Sequence, residues 1–159
     1  MKLYHGTDTF FKSPLIEYCE AYKDFGKGFY LTDKLPMAKD WCEKKFLNPK
    51  YFVLEYLVDE NLEDGLNVKV FKEANSEWAK FVYNNREKEN FSHNYDLVIG
   101  PVADNGIQKY FAKVRRGEKT LEQIAVEMSY SNFRARQYCF NTPEAIKKLN
   151  YINCNRYPK

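Results

Sequence analysis

The chain has 159 residues, the usual size of one domain, so any active site must be built from the elements of a single core. Its residues are 44% hydrophobic and 17% aromatic, enough for a packed interior, and its 25 basic and 22 acidic residues leave a net charge of +3. So even a balance argues against disorder and does not predict a nucleic-acid groove.

The opening KLYHGT is a short apolar run broken by a Gly-Thr turn, read as a strand whose end presents His5 beside flexible backbone. FKSPLIEYCEAYKDF has poor periodicity and reads as loop with a helical turn at most. In FGKGFYLTD two glycines precede an alternating run, so a turn feeds a strand at Phe29 to Thr32. From Pro36 to Leu47, Ala38, Trp41, Cys42 and Phe46 fall near helical spacing, with Thr32 or Asp33 as the start signal. YFVLEYLVD reads as a strand and NVKVF as a weaker one. Ser76 is placed to cap SEWAKFVYNN, and the polar NREKENFSHN after it reads as a surface loop with His93 in solvent.

YDLVIGPVAD is the most apolar strand, and its Gly100-Pro101 pair is expected to stop the ladder. Ile107, Tyr110, Phe111 and Val114 give a helix from about Asn105 to Arg116. Thr120 and Gln123 fit a capping box that opens a second helix. RQYCFNT reads as a strand, Thr142-Pro143 as a cap and first-turn proline for EAIKKL, and YINCNRY as a closing strand. The whole is a single α+β domain, residues 1–159, with mixed strand order.

Nothing approaches the roughly 20 apolar residues of a bilayer span, and the N-terminal apolar run is too short for a signal peptide, so no membrane contact and a cytoplasmic location are the expectation. The cysteines at 19, 42, 139 and 154 form no C-x-x-C pair, and only His5 and His93 remain to complete a metal site. Reduced thiols packed in the core, with no metal, are the reading for Cys42 and Cys139.

Three pieces carry possible chemistry: His5-Gly6-Thr7 at a strand end, Gly26-Lys27-Gly28-Phe29-Tyr30 entering a strand, and Arg136-Gln137-Tyr138 opening a late one. Taken singly, a strand histidine serves most often as a hydrogen-bonded structural residue, and one tyrosine among 13 as packing. The Gly-x-Gly at 26–28 is not a dinucleotide fingerprint, because it leads into a strand rather than a helix N-terminus. A glycine turn with a solvated Lys27 is the alternative to a phosphate contact. Arg115, Arg116, Arg134, Arg136 and Lys147 read as a solvated face, with Arg134 or Arg136 as the alternative phosphate contacts, and Tyr138 and Phe140 read as core in preference to base-stacking residues.

Together, LYHGT, DFGKGFYLT, YDLVIGPVAD and QYCFNTPEAIKKL resemble a bacterial domain-of-unknown-function family, numbered three-nine-nine-zero, in the ADP-ribosyltransferase superfamily; the likeness runs from Leu3 to about Leu149. It implies two antiparallel sheets meeting at an NAD cleft, with peripheral helices. It also implies a histidine, tyrosine and glutamate on three strands around nicotinamide, which carries over to His5, Tyr30 and Gln137 as catalytic residues, the last departing from glutamate. His5, Gly6, Thr7, Lys27, Gly28 and Tyr30 are then the NAD-binding set.

The chemistry is consistent with those types. A flat nicotinamide needs a ring to stack on it, which Tyr30 supplies, and close backbone, which Gly6 permits. His5 suits a ribose hydroxyl and Lys27 the pyrophosphate. Departure of nicotinamide leaves an oxocarbenium-like ribose that a carboxylate would stabilise by charge, whereas Gln137 offers an amide dipole. Asp104 and Glu55 are the candidate substitute carboxylates, and Asp104 and Asn105 are candidates for the target side of the cleft.

The expected activity is a mono-ADP-ribosyltransferase, an NAD-consuming glycosyltransferase acting on a protein or nucleic-acid target. The resemblance adds the toxin of a toxin–antitoxin pair, with an antitoxin protein as partner. The alternatives are an NAD glycohydrolase and a catalytically weak module that binds NAD or ADP-ribose.

Overall fold

The computed structural model describes residues 1–130 and 132–159. Seven strands form one mixed sheet in the order β4-β5-β6-β2-β1-β3-β7. They are β1 (Lys2–Thr7), β2 (Phe29–Thr32), β3 (Lys50–Leu57), β4 (Val68–Val70), β5 (Leu97–Pro101), β6 (Arg136–Phe140) and β7 (Asn150–Pro158). Among the described residues, only β4 and β5 pair in parallel. Among the described residues, five α-helices accompany the sheet: α1 (Leu35–Lys45), α2 (Ser76–Glu87), α3 (Ile107–Arg115), α4 (Leu121–Ile124) and α5 (Pro143–Ile146). None is long and apolar enough to cross a membrane.

Period-2 alternation sorts the core onto the two faces. Leu97, Ile99, Tyr138 and Phe140 point to one face with Leu3, Phe29, Leu31, Leu54 and Tyr56. Val98 and Cys139 point to the other and bury Trp78 and Val82 of α2 and Ile107 and Phe111 of α3. A smaller cluster packs Ala38 and Cys42 of α1 on Tyr51 and Val53 of β3.

The two expected sheets are joined into one, but only just. β1 and β2 share a single registered pair, Tyr4↔Thr32, whereas β1 pairs with β3 at six positions from Lys2↔Leu57 to Thr7↔Phe52. Continuing the antiparallel register would set Gly6 against Tyr30, and that pair is not made. The ladder stops there, so β4-β5-β6-β2 and β1-β3-β7 are joined by that one registered pair.

Several local expectations shift for clear reasons. Asn75, not Ser76, caps α2, its side chain accepting from Trp78 N–H at 3.0 Å. α1 follows Lys34 with no side-chain cap, and Pro36 sits in its first turn. Gly100-Pro101 does not stop the ladder, since Gly100↔Gln137 and Pro101↔Arg136 remain paired. Proline is tolerated because β4 ends at Val70↔Ile99, leaving β5 an edge on the side where the N–H is missing. The capping box at Thr120 and Gln123 forms, but its helix is one turn, Leu121–Ile124. Thr142 caps α5 by accepting from Ala145 N–H.

Candidate functional site

A cavity of about 890 Å³ lies at this β1–β2 seam, lined from both strands. β1 contributes Tyr4, His5, Gly6 and Thr7; β2 contributes Phe29 to Thr32; β6 contributes Gln137. Met37, Ala38 and Trp41 of α1 close one side, Arg86 of α2 another, and the irregular 11–24 segment supplies Phe11, Pro14, Tyr18 and Asp24 at the rim.

His5 fills the gap in the ladder. Its Nδ1 lies 2.7 Å from the Tyr30 carbonyl oxygen, the partner that Gly6 would have served in a continuous sheet. A carbonyl only accepts, so Nδ1 carries the proton and neutral His5 is left with an unprotonated Nε2. Among the described residues Nε2 has no hydrogen-bond partner, and it is not sealed from solvent. The ring packs against Phe29 and Phe11, with centroids 4.3 and 5.8 Å away, in a three-ring cluster in which the two phenyl rings also touch. Desolvation, with a smaller contribution from nearby Lys45, outweighs the bond to Tyr30 and pushes the imidazole down to about 4. His5 is therefore a neutral acceptor at ordinary pH.

Tyr30 points to the opposite face of the sheet from Phe29 and His5, packed against the Phe25 core, because it alternates with Phe29 along β2. The two rings do not face each other, yet both line the same cavity. The phenol donates to the Gly26 carbonyl at 2.6 Å and accepts from Phe25 N–H at 2.8 Å. Burial raises its pKa well above the ordinary value, with Cys139 and Asp24 adding to the effect. Tyr30 is thus a fixed aromatic wall and not an acid or base.

The turn that holds this phenol needs its glycines. Gly26 has φ +83°, a left-handed conformation that disfavours side chains. A Cβ on Gly28 would sit 2.4 Å from Cys139 Sγ, so this glycine lets the turn close on β6. At Gly6 a Cβ would lie 2.6 Å from the Ala38 carbonyl oxygen, which shows that the residue admits α1 to the sheet as well as bordering the cavity. Thr7 is buried, its hydroxyl bonded to Thr9 backbone atoms.

Gln137 is buried, and its Nε2 donates at 3.0 Å to both Asp24 Oδ2 and the Pro101 carbonyl. Asp24, also buried, accepts from Arg86 through its other oxygen at 2.5 Å. This Arg86–Asp24–Gln137 chain links α2, the rim segment and β6 at the cavity wall. Sequence reasoning missed Asp24 and Arg86.

His5, Gly6, Thr7, Gly28, Tyr30 and Gln137 therefore come together, but Lys27 does not. Lys27 is exposed and its side chain does not line the cavity; its carbonyl instead accepts from Asn141. The cationic residues that do line it are Lys23, Lys45 and Arg86. Neither suggested substitute carboxylate reaches the cavity: Glu55 is engaged by Asn155 and Lys2, and Asp104 accepts from Gly106 N–H. Asn105 does line it.

His93 is not a solvent residue. Its Nε2 lies 2.8 Å from the Phe25 carbonyl, its Nδ1 accepts from Tyr95 N–H, and its ring packs on Phe81. Arg136 is only partly solvated, since its guanidinium donates to the Phe71 and Lys72 carbonyls. Tyr138 and Phe140 are buried core. All four cysteines are free thiols, Cys42 and Cys139 fully buried.

A search of curated proteins gave no match to the chain. A family model described as "Protein of unknown function (DUF3990)" matches residues 1–151. With nearly its whole length matched, from the His5 strand through Gln137 to the start of β7, the chain belongs to the DUF3990 family.

Proposed function

We propose that the protein is an ADP-ribosyltransferase that splits NAD in the cavity at the β1–β2 seam and transfers ADP-ribose to a macromolecular acceptor. The observation that carries this reading is the convergence of His5, Tyr30 and Gln137, from three strands, on one cavity. The near-division of the sheet at Tyr4↔Thr32 supports an ADP-ribosyltransferase-like fold, since it gives two strand groups with a cleft between them.

The residue chemistry fits NAD in three ways. Tyr30 offers an aromatic wall whose phenol is already satisfied, so a flat ring stacks on it at no cost in hydrogen bonds. Nε2 of His5 is an acceptor with no protein donor among the described residues, suited to a ribose hydroxyl. Rings on opposite faces of the sheet that line one cavity serve different parts of one extended dinucleotide, not one stacked sandwich. Preorganised contacts of this kind lower the barrier by holding the ribose as its C1′–nitrogen bond breaks.

Incubation with NAD labelled in its adenylate and a bacterial lysate tests the reading. Labelling of a discrete product, lost in His5→Ala and Tyr30→Ala, is the expected result. Release of nicotinamide with free ADP-ribose and no labelled product would assign water as the acceptor and make the protein an NAD glycohydrolase. Equal labelling by both variants would remove the proposal.

A further inference from the structure

We infer that Asp24 supplies the negative charge of the site and acts through Gln137, whose amide it orients and polarises. This inference rests on the NAD-splitting reading above. Gln137 stands where a carboxylate would ordinarily stabilise the developing ribose cation, and an amide alone offers only a dipole. The geometry gives the amide a charge behind it.

The orientation of the amide is fixed by its neighbours. Nε2 sits 3.0 Å from Asp24 Oδ2 and 3.0 Å from the Pro101 carbonyl oxygen, and both of those atoms accept only. An amide turned the other way would set its oxygen against two acceptors, so the NH2 group must occupy that corner. Oε1 is left with no donor among the described residues, and it is not sealed from solvent. Gln137 lines the cavity, so that oxygen is the acceptor it presents there.

Arg86 holds the charge in place. Its Nε and Nη2 both approach Asp24 Oδ1, while Oδ2 is left for Gln137. The Asp24 side chain is only 9% exposed, so the carboxylate is a fixed element of the wall and not a solvated one. A donor whose protons are bound to an anion has a more negative carbonyl at its other end, because hydrogen bonds in series polarise one another. Asp24 therefore does not touch the ribose; it is a positioning and polarising residue for Gln137.

The step it serves balances as follows. The bond between C1′ and the positively charged pyridinium nitrogen breaks, its electron pair leaves with neutral nicotinamide, and the ribose becomes an oxocarbenium ion. The lone pair of the acceptor then bonds to C1′ and its proton passes to solvent. Gln137 Oε1 accepts from a ribose hydroxyl while the cation exists, and Asp24 makes that oxygen a better acceptor.

Restoring a glutamate at 137 is then damaging, not repairing. In Gln137→Glu a carboxylate oxygen replaces Nε2 within 3.0 Å of two acceptors. Asp24→Asn removes the charge and sets an amide donor against the donor of Gln137. Combining the two exchanges carboxylate and amide, so that the hydrogen bond between the positions returns with reversed polarity, while the Pro101 carbonyl still faces the new oxygen and keeps the recovery partial.

The experiment measures nicotinamide release from NAD by the full chain and these three variants in the presence of the bacterial lysate that supplies the acceptor, against a lysate-only blank. Expected are a fall in kcat of about 100-fold for Asp24→Asn with KM within a few-fold of the parent, a fall for Gln137→Glu, and at least about tenfold recovery in the double exchange over either single variant. Slow hydrogen exchange of the Gln137 side-chain NH2 by NMR, lost in Asp24→Asn, is a second readout that needs no turnover. Wild-type kcat in Asp24→Asn, or a Gln137→Glu rate at or above the parent, overturns the inference while leaving the NAD reading intact. No nicotinamide release by the parent chain overturns both.

Discussion

Acidification should test the state of His5 directly. In the folded chain the imidazole is held at about 4, against an ordinary value of 6.5 that the unfolded chain regains. Between those values the unfolded state carries the extra proton, so stability rises with pH through the window. The contribution is complete above pH 6.5 and is lost as pH falls toward 4. At about 1.36 kcal/mol per pH unit the loss comes to roughly 2–3 kcal/mol for this one residue. Urea denaturation of the parent and of His5→Asn at pH 7, 6, 5 and 4 isolates it, since other titrating groups are common to both chains. The difference in unfolding free energy between them should shrink by that amount on going from pH 7 to 4. Curves that stay parallel would show that His5 is solvated and ordinary, and the argument for a neutral Nε2 acceptor would fail with it.

Other perturbations read other parts of the account. Gly28→Ala places a methyl 2.4 Å from Cys139 Sγ and 2.9 Å from the Phe140 carbonyl, and should cost about 2–3 kcal/mol in urea melts. Arg86→Ala leaves the buried Asp24 without its cation; with Arg86 itself 26% exposed, the expected loss is about 2 kcal/mol by thermal or urea denaturation. Burial pushes the Cys42 thiol up to about 12 and raises the other three as well, so a thiol reagent should modify the partly exposed Cys19 and Cys154 first, and slowly, and the buried Cys42 and Cys139 only on unfolding.

What was legible in the sequence was local. The apolar run of β5, the RQYCFNT strand, the capping box at Thr120 and the Thr142-Pro143 start each declare themselves within a few residues, and each forms. The cap of α2 moved by one position because asparagine and serine stand side by side at 75 and 76, and either side chain suits the role. The gathering of His5, Tyr30 and Gln137 followed from resemblance, not from spacing. Asp24 was invisible because its partner Gln137 lies 113 residues away and its own segment has no period to set its direction. Lys27 misled for a related reason: a Gly-x-Gly turn tells that the backbone bends, not which way the intervening side chain points. The seam itself could not be read, since whether two strands pair once or many times depends on register across the sheet.

Determining a crystal structure after soaking with NAD tests the central claim most directly. The account predicts the nicotinamide ring against Tyr30, a ribose hydroxyl within hydrogen-bond distance of His5 Nε2, and the dinucleotide lying across the β1–β2 seam. NAD bound elsewhere on the protein, or a seam cavity that excludes it at saturating concentration, would contradict the account.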